Sequence, residues 1–250
     1  MGLLRFRGAD AIKFLQGQLS NDMTTLGADH ITLAGFHNPQ GRVLALLRLA
    51  ALAPDHVIAL LPVELAVATM GALSRYVLRA KLTISNETAA AAIAAIAAQL
   101  PATVPALTPT AHALNVAAGV PQVYAATSGM FVAQMLNLDC IGAISFSKGC
   151  YTGQEIIARA HYRGRMKRRM QRFVTDGAAV LAPGQTVTLS DGRNAQIVDT
   201  VRLADGRSEF LAVAPLVVGS AAAPAGAAGT DPVSAPLPCR QLPLPYPLPD

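Results

Sequence analysis

The apolar positions fall into two textures along the chain. Asp10 precedes Ala11-Ile12-Lys13-Phe14-Leu15, an amphipathic run behind a residue able to cap it, which predicts a helix. Asp22, after Ser20-Asn21, is placed to start a second short turn. His37-Asn38-Pro39-Gln40-Gly41 carries turn residues between two apolar runs, 31–36 and 42–49, and predicts two strands joined by a tight connection. Residues 55–61 predict another strand, and Pro62 suits the first turn of a helix reaching about Val77.

Residues 89–100 read as an alanine-rich helix, followed by a linker punctuated by Pro101, Pro105 and Pro109, with order returning near Leu114. Beyond Arg172 the runs shorten. Stretches 185–189, 195–201 and 209–213, with turns at Asp191-Gly192 and Asp205-Gly206, predict a small β-barrel or sandwich. Nine of the 17 prolines lie at or beyond Pro215, so the tail is expected to wrap the surface without forming elements.

With 52% hydrophobic residues, 14% charged and a mean hydropathy of +0.38, the composition excludes intrinsic disorder and raises the question of a membrane. The apolar windows are interrupted: Arg48 breaks 43–53, Pro62 and Glu64 break 57–73, and the alanine run 89–98 is too short against the roughly 20 residues a spanning helix needs. A soluble chain with no membrane partner is expected. The opening Met1-Gly2-Leu3-Leu4-Arg5 has neither an apolar core nor a cleavage site, which predicts no secretory signal. Cys140, Cys150 and Cys239 are irregularly spaced and odd in number, fitting reduced thiols in a cytoplasmic compartment. No Cys-x-x-Cys or His-x-x-x-His pair occurs, against a closed zinc site.

Net charge is +5 and unevenly spread. No Asp, Glu, Lys or Arg occurs between Thr88 and Leu138, whereas Arg159, Arg163, Arg165, Lys167, Arg168, Arg169 and Arg172 fall in one stretch without an acid. Such a field suits a carboxylate, a phosphate or nucleic acid; it also suits a solvated connection whose long stems cover apolar surface.

The most unusual local chemistry is Ser147-Lys148-Gly149-Cys150-Tyr151-Thr152-Gly153-Gln154-Glu155, running into Ile156-Ile157-Ala158-Arg159. The segment after Gly153 reads as a helix capped by Thr152 or Gly153. Cys150 then lies just ahead of a helix N-terminus with Lys148 two residues away, and both features favour a thiolate. A buried structural cysteine between tight turns is the alternative. A cysteine–histidine pair with His161 lacks a third, orienting residue, and His30, His37, His56 and His112 are scattered, as surface or core histidines are. Lys148-Gly149 lacks the spacing of a phosphate loop.

Lys148-Gly149-Cys150-Tyr151-Thr152-Gly153-Gln154-Glu155 resembles the signature of the YgfZ family, folate-binding proteins related in fold to the glycine-cleavage aminomethyltransferase. Three further blocks agree and come in family order: Phe14 to Asp22, Thr127 to Leu138, and Leu242-Pro243-Leu244-Pro245-Tyr246. The resemblance implies an α+β, aminomethyltransferase-like multi-domain ring around a cavity that holds tetrahydrofolate, ending in a C-terminal β-barrel. Residues 1–50 and 114–173 would form the N-terminal folate-binding-like domain and share a core, 51–113 a shortened middle domain and linker, and 174–250 the barrel and proline-rich tail.

The resemblance also implies an accessory role in assembling or maintaining iron–sulfur clusters in client enzymes, including radical enzymes that methylthiolate tRNA. Cys150 would be the functional thiol, surrounded by Lys148, Tyr151, Gln154, Glu155 and Arg159 as the cofactor-binding set, with no resident metal. A transient cluster on Cys150 would need further ligands from glutathione, a second chain or a partner. Departures from the family are alanine- and proline-rich sequence at 86–109 where a fuller middle domain stands, no tryptophan where relatives line the folate site with one, and a start so close to the first block that a leading strand is expected to be missing.

Two other functions fit parts of the chain. The fold would permit a folate-dependent aminomethyl transferase, although Gly41-Arg42-Val43-Leu44-Ala45 is apolar where that enzyme carries acids. Direct tRNA binding would use the basic stretch with Tyr151 and Tyr162 as stacking surfaces.

Overall fold

The structure is a computed structural model and describes residues 1–98, 109–217 and 235–249. Five strands build the first sheet: β1 (Gly2–Arg7), β2 (Thr32–His37), β3 (Val43–Ala53), β4 (His56–Leu61) and β5 (Thr83–Asn86), in the order β2-β3-β4-β1-β5 with every pair antiparallel. The leading strand expected to be missing is present, paired between β4 and β5. Leu4 and Phe6 face one buried layer and Leu3 the other, while Arg5 and Arg7 follow Leu3 on its side of the strand.

Helix α1 (Ala11–Gln18) packs Phe14 and Leu15 into the core, and α2 (Val63–Ser74) follows Pro62. Asp10 occupies the position ahead of α1 but does not cap it. Its carboxylate accepts instead from the Lys81 backbone N–H at 2.7 Å, tying the helix start to the approach to β5. Asp22 does cap: it accepts from Thr24 N–H and opens a 3-10 turn, Met23–Thr25. The alanine-rich segment forms α3 (Ala90–Ala97), and α4 (Pro109–Ala117) resumes beyond a linker whose Pro101 and Pro105 lie outside the described residues.

Phe14, Leu15 and Val43 lie in one core with Phe131, Leu136 and Ile157. The same core takes Val57, Ala59 and Leu61 from β4 and Leu65 and Leu73 from α2, because β4 lies between β3 and β1.

The C-terminal strands form a second five-stranded antiparallel sheet, β6 (Arg168–Ala178), β7 (Thr186–Thr188), β8 (Asn194–Arg202), β9 (Arg207–Pro215) and β10 (Cys239–Leu242), in the order β10-β6-β9-β8-β7. This corrects the expected barrel: among the described residues the sheet is not closed. Between its two ends the backbone pairing is one isolated parallel bridge, Leu189 to Leu237, to which Ser190 Oγ adds bonds with Leu237 O and with the Cys239 backbone, and no strand ladder crosses the gap. The tail also yields a strand that its proline content argued against. Cys239-Arg240-Gln241-Leu242 is the proline-free interval between Pro238 and Pro243, so all four residues keep a backbone donor.

Candidate functional site

The signature segment leaves the second half of the core, runs as a loop along α5 (Gln154–Arg163), and turns into that helix at Gly153. Two features fix the turn. Gly153 has φ +83°, and a Cβ there would sit 2.5 Å from the Asn38 carbonyl oxygen and 3.0 Å from Gly41 Cα. Only glycine lets the helix start press its backbone onto the 38–41 turn. Ile157 then anchors α5 in the core, where Gln134 donates to its carbonyl at 2.7 Å.

The block from Phe14 to Asp22 meets the segment ahead of the signature. Ser20 Oγ donates to Ala143 O at 2.7 Å and accepts from Gly35 N, the Ser145 N–H reaches Ser20 O, and Asn21 Nδ2 donates to Gly142 O and Leu33 O. Lys148 completes the junction. Its ammonium donates to three backbone carbonyls, Gln16 O at 2.6 Å, Leu19 O at 2.5 Å and Asn21 O at 2.8 Å. These lie at and just beyond the C-terminus of α1, where helical carbonyls lack partners and the dipole favours a cation; α1 has no basic residue in its own last turn. A residue some 130 positions away thus serves as the C-terminal cation of α1. Burial pushes the Lys148 ammonium down to about 8, partly opposed by Asp22. All three of its donors are used, so none is directed at Cys150 and none remains for a ligand.

Tyr151 is buried beneath this ammonium, its ring centroid 5.1 Å from Nζ, and burial pushes its phenol up to about 12. It offers no exposed face for stacking a base. Cys150, between these two inward residues, is exposed. Gln154 is half-buried; Glu155 and Arg159 are exposed on α5. The residues expected around Cys150 therefore split into an inner pair, Lys148 and Tyr151, that holds the loop, and an outer set on the helix surface. Of the other thiols, Cys140 is half-buried beside Asp139, with burial pushing it up to about 11, and Cys239 is buried.

The two remaining blocks close around the same region. Asn137, at φ +56°, donates to Met170 O, and Arg169, itself buried, pairs with Asp139 at 2.9 Å. Tyr246 Oη donates to Gly119 O at 2.8 Å.

A second polar cluster had no signal in the sequence. Asp199 on β8 is fully buried; its carboxylate accepts from His112 Nε2 at 2.8 Å, Tyr124 Oη at 3.0 Å, Thr200 N and Gln122 N. This hydrogen bond raises the His112 pKa, while burial first, and Asp199 next, raise that of Tyr124. Arg48, on β3 within the field of Asp199 and Tyr124, is buried with both terminal nitrogens lacking a protein partner, as is Gln122 Oε1. Burial pushes its guanidinium down. His37, 1% exposed, likewise has neither ring nitrogen bonded. Among the described residues, no group of three or more His, Cys, Asp or Glu side chains is placed to hold a metal ion, and no helix is long and apolar enough to cross a membrane.

A stretch of 101 residues is 45% identical to the tRNA-modifying protein YgfZ of Escherichia coli O6:H1 (strain CFT073), covering 38% of this chain and 30% of that protein. The chain is similar to the YgfZ proteins. Relatives of the same name from Escherichia coli (strain K12 / DH10B) and Shigella boydii serotype 18 are 41% identical over 99 residues, again 38% of this chain and 30% of theirs. The matches therefore span about a third of the length of the curated YgfZ relatives. No family model matches the chain. The resemblance read from the four blocks agrees with the YgfZ matches. The fold agrees as well: the aminomethyltransferase T of the Bartonella henselae glycine cleavage system superposes with a TM-score of 0.63 at 14% identity, over 86% of this chain and 76% of that one.

Proposed function

We propose that the chain is a YgfZ-type accessory protein that holds a tetrahydrofolate within an aminomethyltransferase-like ring and uses Cys150 in maintaining iron–sulfur clusters of client enzymes, tRNA-methylthiolating radical enzymes among them. The observation that carries the reading is the exposed Cys150 thiol on a loop locked from below by Lys148. A thiol that only filled the core would face inward, as Cys239 does. Holding the backbone on both sides of an exposed thiol lowers the ordering entropy lost when a partner docks. The cluster is cargo in this reading, completed by ligands from glutathione or a partner, and the setting is cytoplasmic.

The residues fit a folate in one respect that the sequence did not show. Arg48 and Gln122 keep buried polar atoms without protein partners beside Asp199, a charged donor and an amide acceptor suited to the polar edge of a pterin or a carboxylate. When bound, the folate would supply one-carbon or redox chemistry; the chain's own groups hold it and exclude water. A transferase reading is disfavoured because residues 41–45, where β3 begins, supply no carboxylate of their own: Ala45 is buried and Leu44 half-buried.

Anaerobic calorimetry with tetrahydrofolate tests the binding half. Wild-type protein and Cys150→Ser are expected to bind alike at micromolar affinity, and Arg48→Met about tenfold or more weaker, the cost of one charge-assisted hydrogen bond. Absence of heat and of thermal shift in the wild type refutes folate binding.

A further inference from the structure

The structure sorts the basic stretch into two groups. Arg169 pairs with Asp139 and Arg172 with Glu209 at 2.6 Å, while Arg168 donates to Val213 O and Asn194 O across the sheet. These three brace the second sheet. Arg159, Arg163, Arg165 and Lys167 are exposed, and among the described residues none of their side chains has an ion pair or hydrogen bond. They lie along α5 and the four-residue connection into β6.

The mutual repulsion within this group is small, and little inside the described residues offsets it. Arg159 and Arg163 stand one helical turn apart, and a like-charge pair at that spacing costs a helix a few tenths of a kcal/mol. The C-terminal dipole of α5 offsets that for Arg163 alone. Glu155, the sole acid on the helix, forms no ion pair with Arg159 four residues on.

Beside these cations is an aromatic group. Phe146 and His161 stack at 3.8 Å between centroids with planes 16° apart, and Tyr162 stands against both, edge-on at 6.1 Å and 4.8 Å. Tyr162 is 68% exposed although two rings hold it in place. A rigid, exposed ring beside unpaired cations is what stacking a base while neutralising its phosphates requires. An acidic protein surface would use the cations and leave Tyr162 without a role.

We propose that the α5 face formed by Tyr162, Arg159, Arg163, Arg165 and Lys167 docks a single-stranded segment of RNA, with Tyr162 stacking on a base and the four cations meeting phosphates. The surface stands independently of the folate reading, and the same face borders the loop that carries Cys150.

Fluorescence anisotropy with a labelled 12-nucleotide oligouridine, across 50–200 mM salt, tests it. Four phosphate contacts to a single strand predict a log–log slope of about −2.8, roughly a fiftyfold loss of affinity over that range. Arg163→Gln/Arg165→Gln/Lys167→Gln is expected to cut the slope to about −0.7. Tyr162→Ala is expected to weaken binding about fivefold or more with the slope unchanged, the loss of one stacked base. All substituted residues are exposed, and unchanged thermal melting verifies the fold. No binding at 50 mM salt overturns the proposal, as does a wild-type slope in the triple variant. Binding that Tyr162→Ala leaves intact and that poly-glutamate displaces on equal terms also overturns it, and assigns the face to an acidic protein instead.

Discussion

Replacing Lys148 by methionine keeps the stem and removes the ammonium that ties the signature loop to the end of α1. Three carbonyls lose their donor. The bond to Leu19 O is buried, and stranding such an acceptor costs about 1–3 kcal/mol. The other two are partly open, so water replaces much of what they lose. Losing the cation at the helix C-terminus adds about 0.3–1 kcal/mol. The expected total is about 2–3 kcal/mol, or roughly 4–12 °C in melting temperature for a chain of this size. Urea unfolding of wild type, Lys148→Met and Lys148→Arg measures it; the flat guanidinium cannot reproduce a compact three-way ammonium cage, so arginine restores only part. The pH dependence supplies the sharper check. With the folded group pushed down to about 8 and the unfolded one near 10.5, the unfolded state binds more protons between those values. Wild-type stability relative to Lys148→Met therefore rises from pH 8 to 10.5 and is flat below pH 8. A loss under about 0.5 kcal/mol, or a gap that narrows above pH 8, refutes the reasoning.

Burial pushes His37 down to about 3, so stability is lost as pH falls from about 6.5; between pH 7 and 4.5 wild type is expected to lose about 2–3 kcal/mol that His37→Leu does not, read by urea unfolding at both pH values. Gly153→Ala forces a side chain into the Asn38 carbonyl at φ +83° and is expected to cost 2 kcal/mol or more, seen as a lower calorimetric melting temperature and faster proteolysis ahead of α5. Asp199→Asn removes the group that raises the His112 pKa, so an NMR titration of that imidazole is expected to shift to lower pH, and an unchanged midpoint contradicts the assigned hydrogen bond.

What the sequence disclosed follows the range of the interactions involved. α1, α2, α5, β2 to β4 and β7 to β9 were legible because periodicity, glycine turns and Pro62 act within a few residues. β1 was not: burial of Leu3 on the opposite face from Leu4 and Phe6 leaves only a short alternating stretch, Leu4 to Arg7, and its partner β4 lies some fifty residues on. β10 was masked by surrounding prolines, and the barrel expectation rested on strand spacing, which says nothing of whether edges meet. The site divides the same way. Spacing around Cys150 identified the chemistry, but the direction of each side chain depends on distant partners. Lys148 looked like a neighbour able to activate the thiol; the free carbonyls of α1 claim it instead. The Asp199 cluster joins residues 75–87 positions apart and leaves no local trace.

The assignment of function to Cys150 is tested most directly in host cells lacking the gene, by measuring methylthiolated nucleosides in tRNA after complementation with wild type, Cys140→Ser, Cys150→Ser or Cys239→Ser at matched protein levels. The exposed thiol on the held loop predicts loss of modification with Cys150→Ser alone, while the half-buried Cys140 and buried Cys239 tolerate serine. Full modification with Cys150→Ser would contradict the account.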